Sequence, residues 1–291
     1  MSSLWKFSPA VKKKKHNPMI TLYQNSQDVI FSCGGQVAGL YKYTDAYKPF
    51  IHPLNSPRGH CVTVASPYDH KHHKGLMYAL REEKMNFWEE FEITPDEKVG
   101  RQRHDAFVQM IESGKRAGFV EKLTWLPAAG GAEYFKEERS IFCEYDGTRS
   151  AFVWTWKTEL TALRSMKLIK SNWSEPLPDG RRINYHGLAV RFGWNFVGSM
   201  GWNTLKLNGK IIPMAEGMGA SARSVELIGN FDGQHPVPKV SVKMENARGY
   251  TVYVRDLPFP FYGLGPTNEH DLLLKEGDRI EDTHTVTVQD M

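Results

Sequence analysis

Between residues 151 and 160 the chain reads Ala-Phe-Val-Trp-Thr-Trp-Lys-Thr-Glu-Leu, and this alternation constrains the fold more than any other feature. Side chains of an extended backbone point to opposite faces in turn. Phe152, Trp154 and Trp156 therefore make one face of a strand, and Val153, Thr155 and Lys157 the other. A row of large aromatics is either core or a platform for a sugar ring, and burial is their commoner fate. The same rhythm recurs along the chain. Runs rich in β-branched or aromatic residues occupy 20–23, 29–32, 37–43, 50–52, 107–111, 118–125 and 134–143. Others follow at 188–192, 204–207, 225–228, 240–245, 250–254 and 283–288, with turn formers such as Asn25, Asp28 and Gly34-Gly35 between runs. Helical periodicity is scarce, and 162–170 is the best short candidate. So many short strands predict an all-β fold, a sandwich or barrel with few short helices.

A chain of 291 residues suits one large β domain or two ordinary ones. No linker-like stretch divides it, so a single domain over 19–291 is the reading. Residues 1–18, with Lys12-Lys13-Lys14-Lys15 and prolines, read as a disordered basic tail. That tract accounts for most of the net charge of +4, which leaves no basic face on the folded part to meet nucleic acid. Cys33, Cys61 and Cys143 are widely spaced and odd in number, as expected of reduced thiols. There is no signal-peptide core and no apolar run of about 18 residues, so no membrane partner is expected and a cytoplasmic location is.

Chemistry concentrates in Ser66-Pro67-Tyr68-Asp69-His70-Lys71-His72-His73-Lys74-Gly75. Histidine exchanges protons near neutral pH and is the commonest metal ligand, so the cluster reads as an acid–base site or a metal site. Pro67 stiffens the entry and Gly75 permits a tight exit. Apolar runs at 61–65 and 76–80 predict a loop held between two strands. If the loop is extended, His70 and His72 share one side; if it turns helically, His70 and His73 form the pair. Either pair, with Asp69 or another carboxylate, would give a divalent-metal site with an open position.

Several segments together resemble the PmoA-like family, a domain of unknown function often labelled "methane oxygenase PmoA". They are Lys48-Pro49-Phe50-Ile51-His52-Pro53-Leu54, Ser56-Pro57-Arg58-Gly59, Val62-Thr63, Asp69-His70-Lys71-His72-His73-Lys74-Gly75-Leu76 and Asn86-Phe87-Trp88. Weaker likenesses are His104 after Gly100-Arg101, the run Glu137-Glu138-Arg139-Ser140-Ile141, and Tyr185-His186-Gly187-Leu188-Ala189-Val190-Arg191, where His186 stands in place of a usual glycine. The similarity covers roughly 20–288. It implies a large antiparallel β-sandwich related to sugar mutarotases, a mutarotase-like supersandwich, and a role in carbohydrate catabolism. Methane oxygenation itself is membrane-embedded copper chemistry, which a chain without a spanning helix does not fit.

Epimerisation or β-elimination on a sugar or 3-keto-glycoside needs one group to take a proton and another to give one. His52, His70, His72, His73 and His104 supply imidazoles, and Asp69, Glu89 and Glu138 supply carboxylates. Arg58, Arg139 and Arg191 are the cations available to stabilise an enolate. Trp88, with Tyr185 and His186, would hold a carbohydrate ring, and a divalent metal ion on Asp69, His70, His72 and His73 is the candidate cofactor. Arg139 and Arg191 can equally pair with Glu137, Glu138 or Asp256. Two other classes compete: a carbohydrate-binding protein without turnover, and a cupin-like metal-dependent oxygenase. Substrate identity and oligomeric state are open at this level.

Overall fold

The strand Ala151–Ala162 turns Phe152, Trp154 and Trp156 into the interior, each 1 % exposed, and leaves Val153, Thr155 and Lys157 half-buried. It pairs antiparallel with Phe135–Asp146 on one side and Arg279–Asp290 on the other, inside a 13-stranded sheet. In the computed structural model, which describes residues 19–170, 176–198, 203–233 and 235–291, this sheet faces a second one of eight strands. Phe31 meets Trp154 edge-on at 4.8 Å, and Tyr41 meets Trp156 at 6.2 Å. Gly39 allows that approach, because a Cβ there would lie 2.8 Å from the Trp154 ring. Each buried indole removes roughly 200 Å² from water, worth ~5 kcal/mol before the entropy of ordering is subtracted. The aromatic row is core, and the fold is the expected all-β sandwich.

The eight-stranded sheet runs Ile20–Gln24, Asp28–Cys33, Gln36–Lys42, Phe50–Leu54, Leu76–Ala79, Gly187–Arg191, Phe261–Leu264, Tyr253–Arg255, antiparallel throughout. Its central strands are buried on both faces, which explains why they read as continuous apolar runs. Leu76, Tyr78, Leu188, Val190, Tyr262 and Leu264 join the core between the sheets. Their neighbours Met77, Ala79, Ala189 and Phe261 form a second cluster on the far face, with Trp88 and Ile183 from connecting segments laid over it. The same period of two carries Arg191 to the face of Ala189. The far face is where the site is built.

Two local expectations are corrected. The expected helix over 162–170 is absent: Ala162 ends a strand, and Met166–Leu168 is another, pairing with Leu272–Leu274 and with Glu82. Among the described residues helical structure is one turn at Met214–Gly217 and a 3-10 turn at Trp194–Phe196. The run 61–65 is not a full strand and makes only single bridges, Asn55 to Cys61, Thr63 to Phe192 and Ala65 to Lys74. The three cysteines are free thiols. Among the described residues no helix is long and apolar enough to cross a membrane. The expected basic tail 1–18 lies outside the described residues.

Candidate functional site

Two successive turns fold the histidine loop. The His70 N–H donates to the Pro67 carbonyl at 3.1 Å, the His73 N–H to the His70 carbonyl at 2.9 Å, and the Ser66 N–H closes the loop on the His73 carbonyl at 2.7 Å. The chain therefore bends back instead of running extended, and all three imidazoles meet. His70 and His73 stack with ring centres 4.7 Å apart, while His72 lies 4.5 Å from His73 and 5.6 Å from His70. Gly75 seats the loop on the strand Phe50–Leu54. Its φ of +70° is left-handed, and a Cβ would lie 2.4 Å from the Ile51 carbonyl oxygen.

Asp69 fixes the orientation of the cluster. Its Oδ2 accepts from His70 Nδ1 at 2.9 Å and from Arg191 Nη2 at 2.9 Å. Burial alone would raise the Asp69 carboxyl, but these two hydrogen bonds outweigh it and hold the group below its ordinary range. With the His70 proton on Nδ1, the Nε2 atom is left to act as acceptor. Arg191 Nη1 also approaches His73 Nδ1 at 3.4 Å, and its guanidinium lies 4.1 Å from the centre of the Phe259 ring. Since a guanidinium only donates, His73 Nδ1 accepts and its proton sits on Nε2. Burial drives His73 well below the usual histidine range, and burial with the nearby Lys48 ammonium lowers His72 to about 3. Both rings are neutral at physiological pH.

These residues open onto a cavity of about 720 Å³, the size of a small-molecule site. His70, His72 and His73 line it with Asp69, Tyr185 and a set of aromatics that includes Tyr68, Phe91 and Phe259. Across it Tyr185 donates its hydroxyl to Glu89 Oε1 at 3.0 Å. Glu90, held at a φ of +63°, accepts from Lys48 at 2.6 Å and pairs with Lys74 at 3.5 Å. A non-glycine residue in that region is strained, and such strain gathers at functional sites.

The expected site is thus assembled in part. Asp69, His70, His72, His73, Arg191 and Tyr185 come together. Trp88 and His186 are fully buried one layer behind the cavity, with Trp88 packed on Tyr185 at 5.4 Å and on His186 at 5.1 Å, so neither is placed to touch a sugar ring. His52 turns its Nδ1 to Thr63 Oγ1 at 3.0 Å, and exposed Arg58 uses its backbone N–H on Asp290 at 2.8 Å. Arg139, His104 and Glu138 belong to the other sheet. Arg139 is buried in a double contact with Glu137 at 2.7 and 2.8 Å, and it also donates to Gln102 and Tyr41. His104 donates to buried Glu121 at 2.6 Å, and Tyr41 donates to the same carboxylate. Glu138 lies between Glu137 and Arg139 on their strand and faces solvent. This network fills the polar heart of the sandwich, away from the cavity wall.

The metal reading meets a geometric obstacle. Among the described residues no three His, Cys, Asp or Glu side chains are grouped to hold a metal ion. Asp69 is spent on Arg191 and His70, His73 Nδ1 faces a guanidinium, and that cation disfavours a second one beside it. Asp69, His70, His72 and His73 do not fit a metal in this arrangement. Glu90, Arg255 and Phe259 are cavity residues with no role in the sequence reading, and Lys48 and Lys74 enter it only within the family-like segments. The aromatic run Phe259-Pro260-Phe261-Tyr262 was the one visible signal.

Fold and site together define an all-β sandwich protein with a histidine-lined, aromatic-walled cavity on the outer face of its smaller sheet. Residues 28–291 match the family described as Family of unknown function (DUF6807), and the chain belongs to that family. The match carries "unknown function" and no PmoA label. No curated protein matches the chain.

Proposed function

We propose that the protein is a carbohydrate-active enzyme of the epimerase or β-elimination type, acting on a sugar or an oxidised 3-keto-glycoside, with His70 as proton carrier. The observation behind this reading is the Arg191–Asp69–His70 chain at the wall of an aromatic cavity. A carboxylate that holds Nδ1–H fixes the tautomer and stabilises the imidazolium formed when Nε2 takes a proton. The proton would leave a carbon beside a carbonyl, or an anomeric hydroxyl. Neutral His72 and His73 would hydrogen-bond the sugar oxygens, and Tyr185 on Glu89 is a second hydroxyl from which a proton can return. The likeness to PmoA-like proteins and to mutarotase-like sandwiches supports the sugar assignment by analogy alone.

The test is proton NMR of a panel of monosaccharides, glycosides and 3-keto-glycosides with the purified protein in D₂O. The expected result is deuterium incorporation at one carbon, or loss of the aglycone, that His70→Ala slows by about 10²–10⁴-fold with the fold intact. Full turnover in each of His70→Ala, His72→Ala and His73→Ala ends the proposal. The neutrality of His72 and His73 favours a second reading, a sugar-binding protein without turnover. In that case the variants lose affinity and there is no rate to lose.

A further inference from the structure

Most charges around the cavity are engaged. Arg191 pairs with Asp69, Lys48 with Glu90, and Lys74 with Glu90 and Asp45, while Glu89 accepts from Tyr185. Arg255 stands apart. Its Nε donates to the Leu257 carbonyl at 3.0 Å and its Nη1 to the Tyr253 hydroxyl at 3.2 Å, both neutral acceptors. Among the described residues no carboxylate ion-pairs with it, and neighbouring Asp256 is turned to Asn203 at 3.0 Å. A guanidinium has five N–H groups, so those two bonds leave more than half of its donors for a ligand. The Phe259 ring, 5.1 Å from the guanidinium, fixes its position, and Arg191 lies 4.1 Å from the same ring. Exposed Lys71 adds a further cation to the wall.

We infer that the ligand of this cavity is an acidic sugar whose anionic group, a carboxylate or a phosphate ester, docks on Arg255. This rests on the carbohydrate reading above and narrows it. A half-buried, ring-stacked guanidinium with open donors is a ready partner for a planar carboxylate or a phosphate, each of which it engages through two parallel N–H bonds. Lys71 contributes a longer-range attraction that salt screens. His70 and His73 pack on the same Phe259 ring, at 4.5 and 5.3 Å, so the imidazoles line the cavity beside the docked anion and face the hydroxyls of the ring.

The test is calorimetric titration of the full chain with glucuronate, gluconate and glucose 6-phosphate against glucose and methyl glucoside, for the protein as it stands and for Arg255→Gln and Arg255→Lys. At least one acidic sugar should bind about tenfold or more tighter than its neutral parent, and the carboxylate and phosphate arms show which anion is preferred. Arg255→Gln should erase that preference, weakening the acidic sugar by about tenfold and its neutral parent far less, and Arg255→Lys, which keeps charge but not the fork, should retain part of it. Neutral and acidic sugars binding alike overturns the inference and leaves the carbohydrate reading in place. A preference that survives in Arg255→Gln does the same. If no member of the panel binds, both fall.

Discussion

Arg191 and Asp69, 122 positions apart, are joined by a 2.9 Å hydrogen bond between Nη2 and Oδ2. Arg191 ends a sheet strand and Asp69 belongs to the histidine loop, so the bond fastens the loop to the sheet. The Arg191 side chain is 2 % exposed and has no other carboxylate beside it among the described residues. Asp69→Asn keeps the size and removes the charge. Stability should fall by about 1–3 kcal/mol in chemical denaturation, because a buried cation loses its counter-charge. Any turnover should fall with it. Arg191→Met combined with Asp69→Asn should cost less than the sum of the two, as expected of coupled neighbours.

Acid should weaken the fold in a defined window. Burial lowers His72 from 6.5 to about 3 in the folded chain, so between those values the unfolded chain binds the extra proton. Stability is full above pH 6.5 and drains as pH falls towards 3, by about 1.4 kcal/mol per pH unit for each such group. His73 and His186, both lowered by burial, add in the same direction. Asp69, also held low, adds its loss only below its unfolded value of 3.8. Urea midpoints measured from pH 7 to pH 3 should show this slope, and His72→Gln should flatten it.

The inter-sheet network should be structural. Arg139→Met strands Glu137, which has no other cation partner among the described residues and accepts the Trp125 indole N–H at 2.7 Å. The expected loss is about 3–5 kcal/mol in urea denaturation. Glu138→Gln, one position away and facing water, should stay within about 0.5 kcal/mol and leave activity unchanged.

Gly75→Ala should move the loop. The left-handed φ alone costs on the order of 1 kcal/mol, and the new methyl meets the Ile51 carbonyl. Sugar binding should weaken more than stability does, measured by calorimetry beside thermal unfolding.

What could be read in advance divides by range of interaction. The alternation at 151–160 disclosed the core face, and the Asp-His-Lys-His-His run disclosed the cavity wall, because both are local. Arg139 stands among the candidate cations and equally as a partner of Glu137, two residues back on the same strand face, and the structure makes it that partner. That spacing was readable; the depth of the pair was not. The segment 162–170 looked helical by itself and became a strand because Leu272–Leu274 offers it an edge. Trp88 could not be sorted into lid or floor without knowing what packs on it. Arg255 and Phe259 lie some 190 residues from the histidines and meet them only through sheet pairing.

The central strands of the eight-stranded sheet are buried on both sides, so each of them carries one register for two purposes. Inserting a single residue into Leu76–Ala79 would send Tyr78 outward and Met77 inward, dismantling the interior and the ligand chamber in one stroke. Recognition and foldedness in this protein therefore share a fate, and occupancy of the chamber should be felt as slower amide exchange in the buried strands beneath it.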